Sequence, residues 1–322
     1  VSALNEIIAL KSELRILQDK NGKTLRDYDI SIENDELIIT NDDGEFFEYH
    51  PNSKESQRVQ ETLFHEKQTI IENCLFGVDI NPNSVKICRL RLWIELLKNA
   101  YYKDVSPAGG FAAGGGGQLE TLPNIDINIK CGNSLISRFE LDADLKKALK
   151  NSKWSIESYR AAVSTYHHAE SKEQKREMER LIAAIKSDFR SEINANDPKV
   201  KRLYKVDGEI TKLTTQQSMF ELSRKEKTSF NKQMKKLSEE ATKLRTQIEE
   251  IKNNAIYDNA FEWRFEFPEV LDAEGNFMGF DTIIGNPPYI RQEELKEIKP
   301  YLENHYNTFT GTADIYVYFV EL

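Results

Sequence analysis

The sequence predicts an α/β fold that carries a long α-helical insertion and a small β-meander near its N-terminus. An apolar strand at Leu75–Ile80 is followed by an apolar helix at Val85–Ala100, which together form half of a βαβ unit. Apolar residues at helical spacing dominate 156–251. Three short β-prone runs between residues 28 and 49 are separated by turn-forming residues.

Residues 1–150 are expected to form the first part of the α/β core. Val1–Gln18 has apolar side chains at helical spacing. The runs Tyr28–Ile32, Leu37–Thr40 and Phe46–Tyr49 predict an antiparallel meander that spans about residues 20–50. The next helix contains Leu63, Phe64, Ile70 and Ile71.

Two strands of this core end in polar residues. Asp79 lies at the carboxyl end of the first strand, where open α/β sheets bind their ligands, so its carboxylate can accept both ribose hydroxyls of a nucleoside cofactor. An equal alternative is that Asp79 only caps the following helix. The second strand, Ile125–Cys131, runs into Gly132-Asn133-Ser134.

Other sequence features narrow the class of protein. No apolar run approaches the roughly 20 residues that span a bilayer, which favours a soluble intracellular protein. Cys74, Cys88 and Cys131 lack metal or redox spacing, so we expect reduced, buried thiols and no metal site. The glycine-rich stretch Ser106–Gln118 lacks the Gly-x-Gly-x-x-Gly context between strand and helix and is interpreted as a loop.

Residues 151–255 are expected to form the helical insertion. The apolar spacing changes phase near Ser223–Ser229, which predicts two antiparallel helices. Between Asn151 and Lys252 there are 22 Lys and Arg against 16 Asp and Glu, a net charge of +6, whereas the rest of the chain carries −15. The helices either bury only their own apolar stripes or have a direct functional role.

The most specific stretch lies in the last segment, 256–322, which is expected to return to the core. Phe280–Ile284 predicts a buried strand that ends in Asn286-Pro287-Pro288-Tyr289. The prolines fix the backbone and lack donors, so the Pro287 carbonyl and the Asn286 amide oxygen can together accept one planar NH2 group. The Tyr289 ring can stack on the ring that carries this group. An ordinary strand-ending turn is the alternative.

Four ordered motifs together resemble a known enzyme family. They are Phe76-Gly77-Val78-Asp79-Ile80-Asn81-Pro82, Cys131-Gly132-Asn133-Ser134-Leu135-Ile136, Phe265-Glu266-Phe267-Pro268-Glu269-Val270 and Asn286-Pro287-Pro288-Tyr289-Ile290-Arg291-Gln292-Glu293. They resemble the methyltransferase region of type IIG (bifunctional) restriction–modification enzymes, which are gamma-type adenine-N6 DNA methyltransferases. The resemblance implies a partial Rossmann-like S-adenosylmethionine-dependent methyltransferase fold in a prokaryotic cytoplasmic enzyme.

The resemblance also implies a role for each motif. Asp79 would bind the ribose of S-adenosylmethionine, Ile80 would pack on its adenine, and Asn133 with Ser134 would contact the polar edge of that adenine. The run Asn286-Pro287-Pro288-Tyr289 would be catalytic: Asn286 and the Pro287 carbonyl accept the target amine, and Tyr289 stacks on an adenine flipped out of the duplex. No metal or covalent intermediate is needed.

Double-stranded DNA is the implied partner, with no membrane involved. The glycine-rich loop that holds the methionine part of the cofactor in this family is absent, and the chain stops inside a helix. We therefore expect an excerpt of a larger enzyme, inactive alone, whose other parts hold a target-recognition domain and any linked nuclease. Lys232, Lys235, Lys236 and Lys243 are expected to face the DNA backbone, with a structural or protein-contact role as the alternative.

Two other functions are alternatives. One is an amino methyltransferase that shares the Asn-Pro-Pro-Tyr run and acts on a protein glutamine or an RNA base. The other is a non-catalytic assembly module. The 151 positions from residue 135 to residue 285 favour DNA, because the glutamine and RNA enzymes with this motif are usually compact.

Overall fold

The computed structural model describes residues 1–103, 105–106, 110–111, 117–138, 150, 152–169, 171–219, 224–253 and 255–322. The described α-helices are α1 (Ser2–Glu13), α2 (Lys54–Asn73), α3 (Pro82–Lys98), α4 (Ile156–His167), α5 (Lys172–Asn196), α6 (Pro198–Met219), α7 (Arg224–Asn253), α8 (Trp263–Glu266), α9 (Lys299–His305) and α10 (Tyr316–Glu321). The strands are β1 (Tyr28–Glu33), β2 (Glu36–Asn41), β3 (Gly77–Asp79), β4 (Val105–Ser106), β5 (Gly110–Phe111) and β6 (Ile129–Cys131). This mixture agrees with the predicted α/β class.

The chain divides into two compact units. The first comprises residues 1–131 and 163–179, and the second comprises 132–162 and 180–322. Among the described residues, no helix is both long and apolar enough to cross a bilayer.

The predicted meander is present as a two-stranded hairpin. β1 and β2 pair antiparallel, and Asn34 and Asp35 form the turn between them with positive φ angles of 52° and 70°. Such a turn matches the right-handed twist of the flanking strands. The third β-prone run contributes only an isolated bridge between Thr40 and Phe46.

The first helix is shorter than its apolar spacing suggests. α1 ends at Glu13, and Arg15 adopts a left-handed backbone with φ of 58°. This residue reverses the chain, so Leu14 is left 66% exposed while Leu17 is buried.

A parallel pair of strands positions Asp79 at the carboxyl end of β3. β3 and β6 pair with Gly77 opposite Ile129 and Asp79 opposite Cys131. β6 begins later than predicted, because the Asn128 side chain donates hydrogen bonds to the carbonyls of Ile71 (3.0 Å) and Glu72 (2.7 Å) at the end of α2. A 3-10 turn at Ile125–Ile127 therefore replaces the first half of the predicted strand.

The helical insertion contains the predicted antiparallel pair, α6 and α7. Val206, Leu237 and Ala241 are buried between the two helices. Ion pairs join them at the flanks, from Arg202 to Glu240 and from Arg245 to Asp207, both at 2.7 Å. The predicted change of phase falls partly on residues 220–223, which lie outside the described residues, as does most of the glycine-rich stretch.

Two expectations about burial are wrong. Residues 281–291 form neither helix nor strand, and Ile283 and Ile284 are 75% and 85% exposed. A buried strand needs a hydrogen-bonding neighbour, and residues 281–284 make no backbone hydrogen bond to the described residues. The three cysteines are free but exposed, because they lie at an end of α2, on α3 and at an end of β6.

Candidate functional site

Asp79 lies at the exposed carboxyl end of β3. Its Oδ1 accepts a hydrogen bond from the backbone N–H of Asn81 at 2.7 Å. The Asn81 side chain in turn accepts from the N–H of Asn83 and caps α3. Asn81 is thus the helix cap, and Asp79 holds the turn that precedes it. The second carboxylate oxygen of Asp79 accepts no hydrogen bond from the described residues, and the next side chain, Ile80, is 61% exposed.

β3 is held in place by the helix that follows it. Pro82 occupies the first turn of α3, where its missing N–H costs no hydrogen bond. From the middle of α3 the Arg89 guanidinium donates to the carbonyl of Ile129 in β6, with Nε at 3.0 Å. The helix and both strands therefore fix the backbone on which Asp79 and Ile80 are carried.

Asn133 is fixed by main-chain hydrogen bonds within the second unit. Its N–H donates to the carbonyl of Asn259 at 2.6 Å, and its carbonyl accepts from the N–H of Phe261 at 3.1 Å. Its side-chain oxygen accepts from the N–H of Leu135 at 3.1 Å, so that Asn133 closes a tight turn. The carbonyl of Ser134 accepts from the indole N–H of Trp263 at 3.1 Å.

The residues that follow this turn are clamped by buried polar groups. Glu262, 7% exposed, accepts from the Ser137 hydroxyl at 2.6 Å and from the N–H of Arg138 at 3.0 Å. The Tyr306 hydroxyl donates to the carbonyl of Leu135 at 2.9 Å. Burial raises the pKa of the Tyr306 phenol, so this group remains a donor through the neutral and moderately alkaline range.

The Asn286-Pro287-Pro288-Tyr289 loop is exposed between two packed anchors. On one side the Phe280 ring lies against Trp263 and Phe267, with centroids 6.0 Å away in both contacts. On the other side Ile290 packs in the apolar cluster of the second unit, and its carbonyl accepts from the N–H of Ile315 at 3.1 Å.

Within the loop the Asn286 and Tyr289 side chains are exposed. Asn286 is exposed and makes no side-chain hydrogen bond to the described residues. The Tyr289 ring is 87% exposed, and its neighbour is the Tyr316 ring, whose centroid is 6.4 Å away and inclined by 53°. Asn286 and Tyr289 are therefore available to an incoming group.

The predicted residues are divided between the two units. Asp79 and Ile80 belong to the first, whereas Asn133, Ser134 and the Asn286–Tyr289 loop belong to the second. Inside the second unit Leu135 and Ile136 share an apolar cluster with Ile290. The structure thus brings together the residues that directly follow Ser134 and Tyr289.

The sequence alone did not identify the residues that support the motif Cys131–Ile136. An ideal Cβ on Gly132 would lie 2.8 Å from Cδ2 of Phe261, so the position admits only glycine without movement. Glu262, Tyr301 and Tyr306 clamp Leu135–Arg138 from more than a hundred residues away. The one signal in the sequence is the acid within the aromatic run Phe261-Glu262-Trp263.

Comparisons with known proteins show the family of this chain. The family model described as "Eco57I restriction-modification methylase" matches residues 73–322. A protein of Methanocaldococcus jannaschii, described as "Putative type II restriction enzyme and methyltransferase", is 28% identical over 262 residues, which cover 72% of this chain. The chain spans about a fifth of the length of that relative, 19%. No solved structure matches. Because the family model covers most of the chain, the chain belongs to the Eco57I restriction-modification methylase family.

Proposed function

We propose that this region is part of the catalytic core of a site-specific DNA adenine-N6 methyltransferase that uses S-adenosylmethionine. Membership of a restriction-modification methylase family supports methyl transfer. The observation that carries the adenine-N6 assignment is the Asn286–Tyr289 loop. Its amide makes no hydrogen bond to the described residues, and its ring is 87% exposed beside Tyr316. The loop is held between packed anchors at Phe280 and Ile290.

The loop has the chemistry to bind an aromatic amine. Asn286 Oδ1 and the Pro287 carbonyl accept the two N–H groups of the target amine, which increases the electron density on its nitrogen. Pro288 removes a second donor and stiffens the loop. The open face of Tyr289 stacks on a base flipped out of the duplex. These residues position the amine and stabilise charge in an in-line transfer, in which the methyl–sulfur bond breaks as the methyl–nitrogen bond forms. The amine then loses a proton, and no covalent intermediate with the enzyme is formed.

The residues at the end of β3 fit the nucleoside end of the cofactor. The unpartnered oxygen of Asp79 is available to a ribose hydroxyl, and the exposed Ile80 side chain offers an apolar surface to a purine. Asn133 and Ser134 are proposed to contact the polar edge of the same purine. When bound, S-adenosylmethionine supplies the electrophilic methyl group. We infer that β3 and β6 belong to a Rossmann-like sheet.

Further parts of the enzyme are proposed to complete the core. α3 buries Leu92 and Leu96 on one face but exposes Leu90, Ile94 and Leu97, by 44–55%, on the other. A helix that is apolar on two faces is usual when another layer covers it. Since the chain spans 19% of its relative, we propose that other segments of the same enzyme cover this face and supply target recognition.

The identity of the methylated product tests this proposal. The full-length enzyme would be incubated with S-adenosylmethionine labelled on its methyl group and with duplex DNA, a glutamine-containing peptide or RNA. We expect the label in DNA, and nucleoside digestion should recover it as N6-methyladenine. Label in glutamine or RNA would show the alternative amino methyltransferase, and the absence of transfer to any substrate would favour an assembly module.

A further inference from the structure

The two helices of the α6–α7 hairpin carry the same pattern of residues. When Lys201 of α6 is aligned with Lys232 of α7, the apolar residues of the hairpin coincide. Val206 and Leu237 are both buried and occupy equivalent positions. Four further equivalent positions are polar or glycine and lie on the face of each helix turned away from its partner. On α6 they are Lys201, Lys205, Gly208 and Lys212, and on α7 they are Lys232, Lys236, Glu239 and Lys243.

These outward positions form one stripe on each helix. Because an α-helix advances about 100° and 1.5 Å per residue, positions 0, 4, 7 and 11 lie within about 60° of one another and span about 16 Å. All six lysines are exposed. None of them forms a salt bridge with the described residues.

The two stripes differ at their third position. On α7 it is the acid Glu239, which lies 3.9 Å from Lys235, the residue equivalent to Tyr204, so the acid offsets the additional lysine of that face. On α6 it is Gly208, and the stripe contains no acid. The acid Glu209 lies at its edge, on the side of Arg202, whose charge is already paired with Glu240.

Gly208 is not required by the packing of the hairpin. A Cβ at this position would meet no described atom within 4 Å, and its backbone is not left-handed. Glycine inside a helix is less stable than alanine, so the fold alone favours a different residue here. One turn earlier Tyr204 is 71% exposed. A glycine with open space around it lets a partner approach the helix backbone closely between the lysines.

We propose that the outward face of α6, formed by Lys201, Tyr204, Lys205, Gly208 and Lys212, contacts the phosphate backbone of duplex DNA. The proposal rests on the proposed function. Lysine ammonium groups and a tyrosine hydroxyl are donors to phosphate oxygens. Over the five equivalent positions both faces carry a formal charge of +3. The α6 face carries it without an acid, whereas the α7 face, Lys232, Lys235, Lys236, Glu239 and Lys243, includes a carboxylate that repels phosphate. We therefore propose α6, rather than the α7 lysines expected from the sequence, as the helix that contacts DNA.

The matched stripes provide the experiment. Two variants of the full-length enzyme would be compared: Lys201→Gln/Lys205→Gln/Lys212→Gln on α6 and Lys232→Gln/Lys236→Gln/Lys243→Gln on α7. Both remove three charges at the same helical spacing. We expect the α6 variant to bind cognate and non-cognate DNA at least about tenfold more weakly. The slope of its logarithmic affinity against the logarithm of salt concentration should fall by an amount equal to up to about three phosphate contacts. The α7 variant should change much less.

Substitution of Gly208 tests the close approach separately. Gly208→Glu gives α6 the residue that α7 has, and Gly208→Ala adds only a methyl group. Both should keep or raise the thermal stability of the hairpin, while Gly208→Glu should weaken DNA binding several-fold and Gly208→Ala by less. The reciprocal Glu239→Gln on α7 should leave DNA binding nearly unchanged.

The outcomes distinguish a failure of the proposed α6 contact from a failure of the proposed methyltransferase function. An α6 variant with unchanged affinity and salt dependence, or equal losses in both triple variants, would overturn the proposed contact. If the wild-type enzyme still methylates DNA in that case, only the contact fails. If the wild-type enzyme neither binds nor methylates DNA, the proposed function fails with it.

Discussion

Phe261 occupies the space that any side chain at position 132 would need. A Cβ on Gly132 would lie 2.8 Å from Cδ2 and 3.1 Å from Cβ of Phe261. The N–H of Phe261 donates to the carbonyls of Asn133 and Ile136 at 3.1 and 2.9 Å. Gly132 thus permits the close approach through which Phe261 fixes the turn at Asn133.

We therefore predict that Gly132→Ala destabilises the enzyme by about 1–3 kcal/mol, because Phe261 is buried and has little room to move. Gly208→Ala is the matched control, since its methyl group enters open space and should be neutral or stabilising by up to about 1 kcal/mol. Thermal unfolding of both variants would show the difference. An equal change in unfolding free energy in the two variants would mean that Phe261 moves aside without an energetic cost.

A buried ion pair joins α2 to α3. Lys67 Nζ lies 3.4 Å from Oε2 of Glu95, and both side chains are nearly inaccessible. We predict that Glu95→Ala costs about 3–5 kcal/mol, because it leaves the Lys67 charge buried without its partner. Lys67→Met, which removes the charge and keeps the shape, should cost much less, because Glu95 keeps its ion pair with Lys98 at 2.8 Å. Equal losses in the two variants would show that packing, rather than the unpaired charge, sets the cost.

The same pair predicts a dependence on pH. Burial lowers the pKa of Lys67 from its ordinary value of 10.5, although Glu95 opposes this shift. In Glu95→Gln the opposing charge is gone, so the folded-state pKa falls further below that of the unfolded chain. The unfolded state then binds more protons between the two pKa values. The variant should therefore gain stability relative to wild type as the pH rises through this window toward 10.5, in denaturant unfolding at several pH values. A constant difference would contradict the prediction.

Asp79→Asn tests the cofactor assignment without disturbing the turn. Asparagine keeps the Oδ1 that accepts from the N–H of Asn81, but it removes the charge proposed to hold the ribose. Losing a hydrogen bond to a charged group costs about 1.5–3 kcal/mol, which corresponds to roughly 10–150-fold weaker binding. Calorimetry of S-adenosylmethionine with the full-length enzyme would measure this. Unchanged affinity would assign Asp79 to the turn alone.

The sequence predicted local structure where one segment decides it. The helix α3, the hairpin of β1 and β2 and the seam between α6 and α7 all follow from nearby residues. The predictions failed where contacts with residues distant in sequence determine the local structure. The predicted strand before Cys131 is shortened because the Asn128 side chain donates to carbonyls of α2. Phe280–Ile284 has no neighbouring strand among the described residues, which its apolar pattern would need.

The candidate site shows the same division. The motifs around Asp79, Asn133 and Asn286 could be found from residue type and order alone. Their supports could not, because Glu262 and Tyr306 reach Ser137 and Leu135 across 125 and 171 positions of sequence. Nothing in a short pattern signals such a contact before the fold brings the segments together.

The most direct test of the account is the single-turnover rate of methyl transfer to duplex DNA by full-length Asn286→Ala. Asn286 is exposed and makes no hydrogen bond within the described chain, so its loss should not disturb the fold. We predict a rate lower by about 10²–10³, because one positioned contact to the reacting amine is removed, with S-adenosylmethionine affinity nearly unchanged. A rate close to that of the wild-type enzyme would contradict the central claim that this loop holds the target amine.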